Sequence, residues 1–159
     1  MDKGRKCIAV IRIRGISDIR GDTQETMDML HLTRNCHATL IDDRPSYLGM
    51  LRKAQSYLTW GEVSKEAISI LLKKRARTIG DKKLTDEYAQ RIGYKSLDEL
   101  TEAINNLEIK YKDLPDIKPI FRLHPPKGGF KGKIKRGFVE GGAAGYRGEN
   151  INNLLENMI

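Results

Sequence analysis

Residues Cys7-Ile8-Ala9-Val10-Ile11-Arg12-Ile13 form a nearly unbroken apolar run rich in β-branched side chains. A strand sends successive side chains to opposite faces, so a run that is apolar at both parities has to be covered on both sides. This predicts a strand in the middle of a sheet. The next residues supply neighbours for it. Asp22 followed by Glu25 resembles a capping box with Asp in the cap role, and Met27 with Leu30 gives a short helix one apolar stripe. His37 to Ile41 reads as a second strand. Pro45 suits a first helical position, where its missing N–H would be unpaired anyway, and Leu48, Leu51, Ala54 and Leu58 fall on one helical face. Thr59 to Val63, with the only tryptophan, reads as a third strand. Residues 1–63 thus predict a small βαβαβ unit able to pack two helices on one sheet face, with Tyr57 and Trp60 in its core or at its seam with the rest.

Beyond it the periodicity turns helical. Ser64 is placed to cap a helix whose period is set by Ile68, Leu71, Leu72 and Arg75, and Thr85 to cap a shorter one from Asp86 to Ile92 that Gly93 ends. Ser96 with Glu99 forms a capping box ahead of the stripe Leu97, Leu100, Ile104 and Leu107. We read residues 64–112 as a helical insert. Pro115 and Pro119 forbid a regular helix and open a last segment, residues 113–159. It holds a strand from Ile120 to His124, a Gly/Lys-rich stretch, and a terminal helix whose stripe Ile151, Leu154, Leu155 and Met158 is expected to dock back on the core.

Charge narrows the function classes. The chain of 159 residues carries 29 Lys plus Arg against 21 Asp plus Glu, a net charge of +8, with 39% apolar residues. That apolar share argues against wholesale disorder, and no apolar run approaches the roughly 20 residues of a membrane span. The basic N-terminus leads into β-branched residues without a small-residue cleavage site, so no signal peptide is read. Two cysteines, Cys7 and Cys36, suggest a reducing cytosol rather than a disulfide framework. Among the stretches that lack any acid, three are rich in cations: Lys3 to Ser17, with Arg12 and Arg14; Ala67 to Gly80, with Lys73, Lys74, Arg75 and Arg77; and Ile117 to Val139. The last holds Lys118, Arg122, Lys127, Lys131, Lys133, Lys135 and Arg136 among glycines that free the backbone to approach another chain. Such runs are the electrostatic footprint of a polyanion partner, nucleic acid above all. Phe130, Phe138 and Tyr146 lie within or beside the last run, where a ring can stack on an unpaired base.

No constellation for catalysis emerges. A phosphate loop needs Gly, four residues, then Gly-Lys-Ser/Thr, but Lys127 stands five positions before Gly132 and Ile134 follows Lys133. Gly142, Gly145 and Gly148 are spaced by threes and match no dinucleotide fingerprint. His31, Cys36 and His37, with Cys7 as a conceivable fourth ligand, suggest zinc only if their strands bring them together; buried thiols and a surface histidine are the plainer reading. Asp42-Asp43 at a strand end fits turn chemistry as well as acid–base work, and Cys36 beside His37 is adjacency rather than a nucleophile facing its base. Neither a cofactor nor a metal is expected.

Two blocks carry a family likeness. Pro45-Ser46-Tyr47-Leu48-Gly49-Met50-Leu51 and Tyr57-Leu58-Thr59-Trp60-Gly61-Glu62 follow Ile11-Arg12-Ile13-Arg14-Gly15 and Leu40-Ile41-Asp42-Asp43. Together they resemble the large-subunit ribosomal protein L-thirty family, called L-seven in eukaryotes. Phe121-Arg122-Leu123-His124-Pro125-Pro126-Lys127-Gly128-Gly129-Phe130 and Val139-Glu140-Gly141-Gly142 resemble the extension of its archaeal and eukaryotic members. No long basic arm precedes the first strand, so the archaeal type fits better. The resemblance implies an α+β fold, a three-stranded antiparallel sheet with two helices on one face, related to the ferredoxin-like architecture. It implies a structural, non-catalytic role in the large ribosomal subunit in the cytoplasm. Its partners would be large-subunit ribosomal RNA, the small companion RNA of that subunit as a further candidate, and neighbouring ribosomal proteins, with no membrane. By motif and charge the predicted RNA-facing set is Arg12, Arg14, Gly49, Lys73, Lys74, Arg75, Arg77, Lys127, Phe130, Lys131, Lys133, Lys135, Arg136, Tyr146 and Arg147. Glycine costs about 1 kcal/mol against alanine inside a helix, so Gly49 points either to a close partner or to tight packing of helix on sheet. The alternatives are a transient assembly or processing factor, which would be found on precursors rather than mature subunits, and, more remotely, an RNA-modifying enzyme.

Overall fold

Three strands make the spine of the structure, a computed structural model that describes residues 6–15, 19–130, 133–134 and 136–159. β1 (Cys7–Arg12) lies between β2 (His37–Asp42) and β3 (Leu58–Glu62) and is antiparallel to both. All of β1 is buried, and its alternation divides it between two hydrophobic clusters. Ile8 and Val10 join Leu58 and Trp60 in one, beneath α1 (Gly21–Met29) and α2 (Pro45–Lys53), which contribute Met27 and Leu51. Cys7, Ala9 and Ile11 join the other, under α3 (Lys65–Lys74), α4 (Asp86–Arg91), α5 (Leu97–Asn105) and α6 (Ile151–Met158). Helices thus cover both faces, as a doubly apolar strand demands.

Local chemistry accounts for most helix ends. Pro45 occupies the first turn of α2. Ser64 Oγ accepts from Ala67 N at 3.1 Å, Thr85 Oγ1 from Tyr88 N at 3.4 Å and Ser96 Oγ from Glu99 N at 3.5 Å, so all three predicted caps are in place. Gly93, at φ +101°, follows α4 in the left-handed region. The buried residues of α6 are Ile151, Leu154, Leu155 and Met158, the stripe predicted for docking. The capping box at Asp22 does not form. α1 begins at Gly21 with Arg20 in the cap position, so Asp22 sits inside the first turn, where its carboxylate accepts from Thr23 N at 2.9 Å and faces the positive end of the helix dipole.

The sheet departs from the expected three antiparallel strands. Among the described residues it has five, in the order β4-β2-β1-β3-β5. β4 (Phe121–Arg122) pairs antiparallel with β2, and β5 (Gly145–Tyr146) pairs parallel with β3. Three strands would leave the outer backbone groups of β2 and β3 without partners, and the last segment supplies both edges. The strand predicted from Ile120 to His124 contracts to two residues for that edge role.

Gly61 shows how closely the last segment is seated. A Cβ at this position of β3 would collide with the carbonyl of Gly148 and lie 3.1 Å from Ile151 Cβ. Gly61→Ala is expected to push the 148–150 turn off β3 and to lower stability by about 1–3 kcal/mol, the usual cost of overpacking. Urea unfolding checks this; an unchanged midpoint would mean that the turn yields freely.

Candidate nucleic-acid interface

Strand register sorts charge to the two ends of the sheet. At one end Cys7 pairs with Asp42, and Ile8 with Glu62. At the other Arg12 lies opposite Leu58, and His37 opposite Arg122. The acid end is closed on itself. Asp42 takes Arg44 Nε at 2.9 Å and Nη2 at 2.7 Å; burial pushes its carboxyl up, and the Arg44 bonds outweigh this and hold it below the ordinary value. The pair closes the turn into α2. Register also parts the conceivable metal ligands, since Cys7 stands at this end and Cys36 and His37 at the other. Both thiols are pushed up by burial, Cys7 to about 12 with help from the Asp42 charge, which leaves them inert.

The opposite end gathers cations. His37 is held below its ordinary value first by burial, then by the charges of Arg122, Arg34 and Arg12. Arg14 lies over the Tyr57 ring, 4.4 Å from its centroid, half-buried. Arg12 is wholly buried. Its Nη1 donates to Leu32 O at 2.8 Å, Nε to Arg14 O at 2.9 Å and Nη2 to Gly15 O at 3.2 Å, so the side chain braces two loops instead of reaching a phosphate. Of the predicted Arg12 and Arg14 pair, only Arg14 reaches the surface.

Two of the acid-free runs meet here. Thr78 bridges to Ile117, Lys118 N donates to Arg77 O at 2.9 Å, and Arg75 Nη1 donates to Arg122 O at 3.4 Å. Arg75, Arg77, Lys118 and Arg122 therefore share one surface. Asp81 stands exposed among them, 2.9 Å from Lys118 Nζ and 3.5 Å from Arg122 Nη1. Its carboxyl is lowered by the Lys118 hydrogen bond and charge, then by Arg122, with a smaller effect of Arg77. Arg77 Nη1 also donates to the carbonyls of Lys74 and Ala76, a cation at the negative end of α3. Lys74 is exposed, whereas Lys73 pairs with Asp98 at 3.0 Å. Lys118, Arg122 and Arg34 were absent from the predicted set; the first two lay within the counted basic run, and nothing local distinguished them.

The last segment divides in the same way. Lys127, Lys133 and Arg136 are exposed, while Lys131 and Lys135 lie outside the described residues. The main chain around them is tied down by Arg136 N and Ala143 N, both donating to Lys133 O at 3.1 Å. Phe130 is partly buried and packs against the larger hydrophobic cluster. Tyr146 is about half exposed; its hydroxyl donates to Glu62 at 2.6 Å, and that bond, with burial next, pushes the phenol up to about 12. Arg147 is half-buried, donating from Nε to Thr59 Oγ1 at 2.7 Å and from Nη2 to Ala143 O at 2.6 Å, with its plane 4.9 Å from the Phe138 centroid. Gly49 faces outward from α2, and a Cβ there would meet nothing within 4 Å. Packing of helix on sheet is therefore not the reason for this glycine.

Among the described residues no helix is long and apolar enough to cross a membrane. Residues 8–58 match the family profile described as Ribosomal protein L30p/L7e. Archaeal relatives extend the likeness over almost the whole chain. The large ribosomal subunit protein uL30 of Methanobrevibacter smithii is 48% identical over 151 residues, which cover 94% of this chain and 98% of that protein. That of Methanopyrus kandleri is 49% identical over 149 residues, 92% of this chain and 100% of its own length. That of Ignicoccus hospitalis is 46% identical over 157 residues, 98% and 99% of the two chains.

Proposed function

Because this chain belongs to the ribosomal protein L30p/L7e family, we infer that it is a structural constituent of the large ribosomal subunit and of the cytoplasmic ribosome, with no catalytic activity. Its partners are ribosomal RNA and neighbouring ribosomal proteins. The finer reading concerns how it is held. The cationic sheet end, with Arg14, Arg34, Arg75, Arg77, Lys118 and Arg122, and the exposed Lys74, Lys127, Lys133 and Arg136 face the phosphates of large-subunit RNA; Lys131 and Lys135 belong to the same acid-free run of the sequence. Residues 1–63 act as the βαβαβ core, 64–112 as a helical insert and 113–159 as the RNA-binding extension. The companion RNA of the subunit is a further partner of the same chemistry.

The observation that carries this reading is the meeting of two acid-free runs on one surface through the Arg75–Arg122 and Arg77–Lys118 contacts. Clustered cations release condensed counterions on binding, so affinity must fall steeply with salt. For some five neutralised phosphates the log–log slope on large-subunit RNA is expected at about −4.5, at about −0.9 per phosphate. A slope near zero in filter binding would refute the electrostatic account. Co-sedimentation with mature subunits at one copy per particle, rather than with precursors, separates a constituent from a visiting factor.

Gly49 gives a test with effects of opposite sign. On the open face of α2, Gly49→Ala is expected to raise stability by about 0.5–1 kcal/mol, because alanine is the better helix former. The same methyl group is expected to weaken RNA binding by holding the backbone of α2 off its partner. Unfolding and filter binding read the two effects separately; unaltered binding means that no partner approaches there.

A further inference from the structure

We propose that the groove between α6 and the Pro126–Gly129 loop is a pocket for one unpaired nucleotide of ribosomal RNA, read at its base edge by the asparagines of α6. The proposal rests on the ribosomal-RNA reading above and adds to it a contact that is not electrostatic. The groove is about 290 Å³, near the lower limit of about 300–1,000 Å³ typical of ligand pockets, which suits a single nucleotide and not a helix. Asn150, Asn153 and Asn157 line it. Asn150 occupies the cap position of α6 and Asn153 and Asn157 lie within it; the spacing of three and four places them on one side, with the buried Leu154 among them in the groove lining.

Among the described residues these three side-chain amides have no hydrogen-bond partner, whereas the amide of Asn152, on another face, is engaged with Ser64 N, Glu62 O and Glu149 O. An amide presents a donor and an acceptor side by side, the complement of a base edge and a poor partner for a phosphate, which asks for cations. A cation is present at the margin. Lys127 lines the same groove, Arg147 lines it with its guanidinium held by Thr59 and Ala143, and the described lining contains no carboxylate. Two other surface grooves differ: Glu87 and Asp116 line the one beside α4, and Glu66 and Asp98 the one between α3 and α5. Phe138 adds an aromatic ring beside the amides; Arg147 covers one face, which leaves the other for a base.

The opposite wall is built for close approach. Gly128 and Gly129 both adopt the left-handed region, at φ +77° and +78°, and a Cβ on either would meet nothing within 4 Å. The loop is held to the helix by Lys127 N, which donates to Asn157 O at 3.2 Å, so the two walls of the groove are joined. An extruded base therefore finds amides on one side, bare backbone on the other, and the exposed Lys127 for a flanking phosphate.

The full-length chain carrying Asn153→Leu and Asn157→Leu tests this in filter binding to purified archaeal large-subunit RNA. Both positions are exposed, leucine is a good helix former, and no charge changes. Affinity is expected to fall roughly 10- to 100-fold at fixed salt, the range of one or two lost base-edge pairs, with the salt slope unaltered. Unaltered affinity, or a loss accompanied by a shallower slope, overturns the pocket while leaving the ribosomal-RNA reading intact; failure of the unsubstituted chain to bind overturns both. A photocrosslink keeps the test decisive if the double variant does not fold. Asn153→p-benzoylphenylalanine in reconstituted large subunits is expected to mark one unpaired nucleotide, and a crosslink to a neighbouring protein instead excludes RNA as the occupant.

Discussion

Arg12→Met is expected to lower the stability of the fold by about 2–4 kcal/mol while leaving the salt dependence of RNA binding untouched. Arg12 shares the parity of Ile8 and Val10 on a strand buried throughout. Its three hydrogen bonds hold the carbonyls of Leu32, Arg14 and Gly15, which tie the end of β1 to the chain leaving α1. Methionine keeps the unbranched stem and deletes the donors, so the loss is one of hydrogen bonding more than of packing. A buried acceptor left unpaired costs about 1–3 kcal/mol; the Leu32 carbonyl bond is the buried one, and the other two add less because water reaches them. Urea unfolding measures the loss. If stability held while the salt slope fell by about one, Arg12 would be a phosphate contact and its burial incidental.

The second large effect lies in the extension. Replacing Lys131, Lys133, Lys135 and Arg136 together by alanine is expected to flatten the log–log salt slope by about 0.9 for each of the four that neutralises a phosphate, and by more than an equal number of lysines elsewhere. Lys133 and Arg136 are exposed, on main chain cross-tied to Ala143 and Ala144, so their loss changes charge and little packing. The control is an equal number of exposed lysines elsewhere, Lys53, Lys65, Lys82 and Lys95, whose removal changes net charge by the same amount. Equal flattening by both sets would make net charge the whole explanation and remove the extension from the interface.

Two departures from the expected local structure carried a readable signal. Parity alone pointed Arg12 inward with Ile8 and Val10, although charge argued for the surface. Asp22 satisfied the spacing of a capping box, yet α1 begins two residues sooner and leaves the carboxylate in the first turn. Phe130 and Arg147 had no such signal. Their partial burial depends on the larger hydrophobic cluster for Phe130, and on Thr59 of β3 and the Phe138 ring for Arg147.

From residue order alone came the two-faced burial of β1, the caps at Ser64, Thr85 and Ser96, and the docking stripe of α6. These rest on spacings of two to four residues, where a side chain's neighbours are set by the local backbone period. Only the tertiary structure decided that two-residue segments complete both sheet edges, that Arg75 and Arg77 meet Lys118 and Arg122, and that Gly128 and Gly129 face the asparagines of α6. Such neighbours are chosen by long-range pairing and by which backbone edges remain unsatisfied, and no local period encodes either.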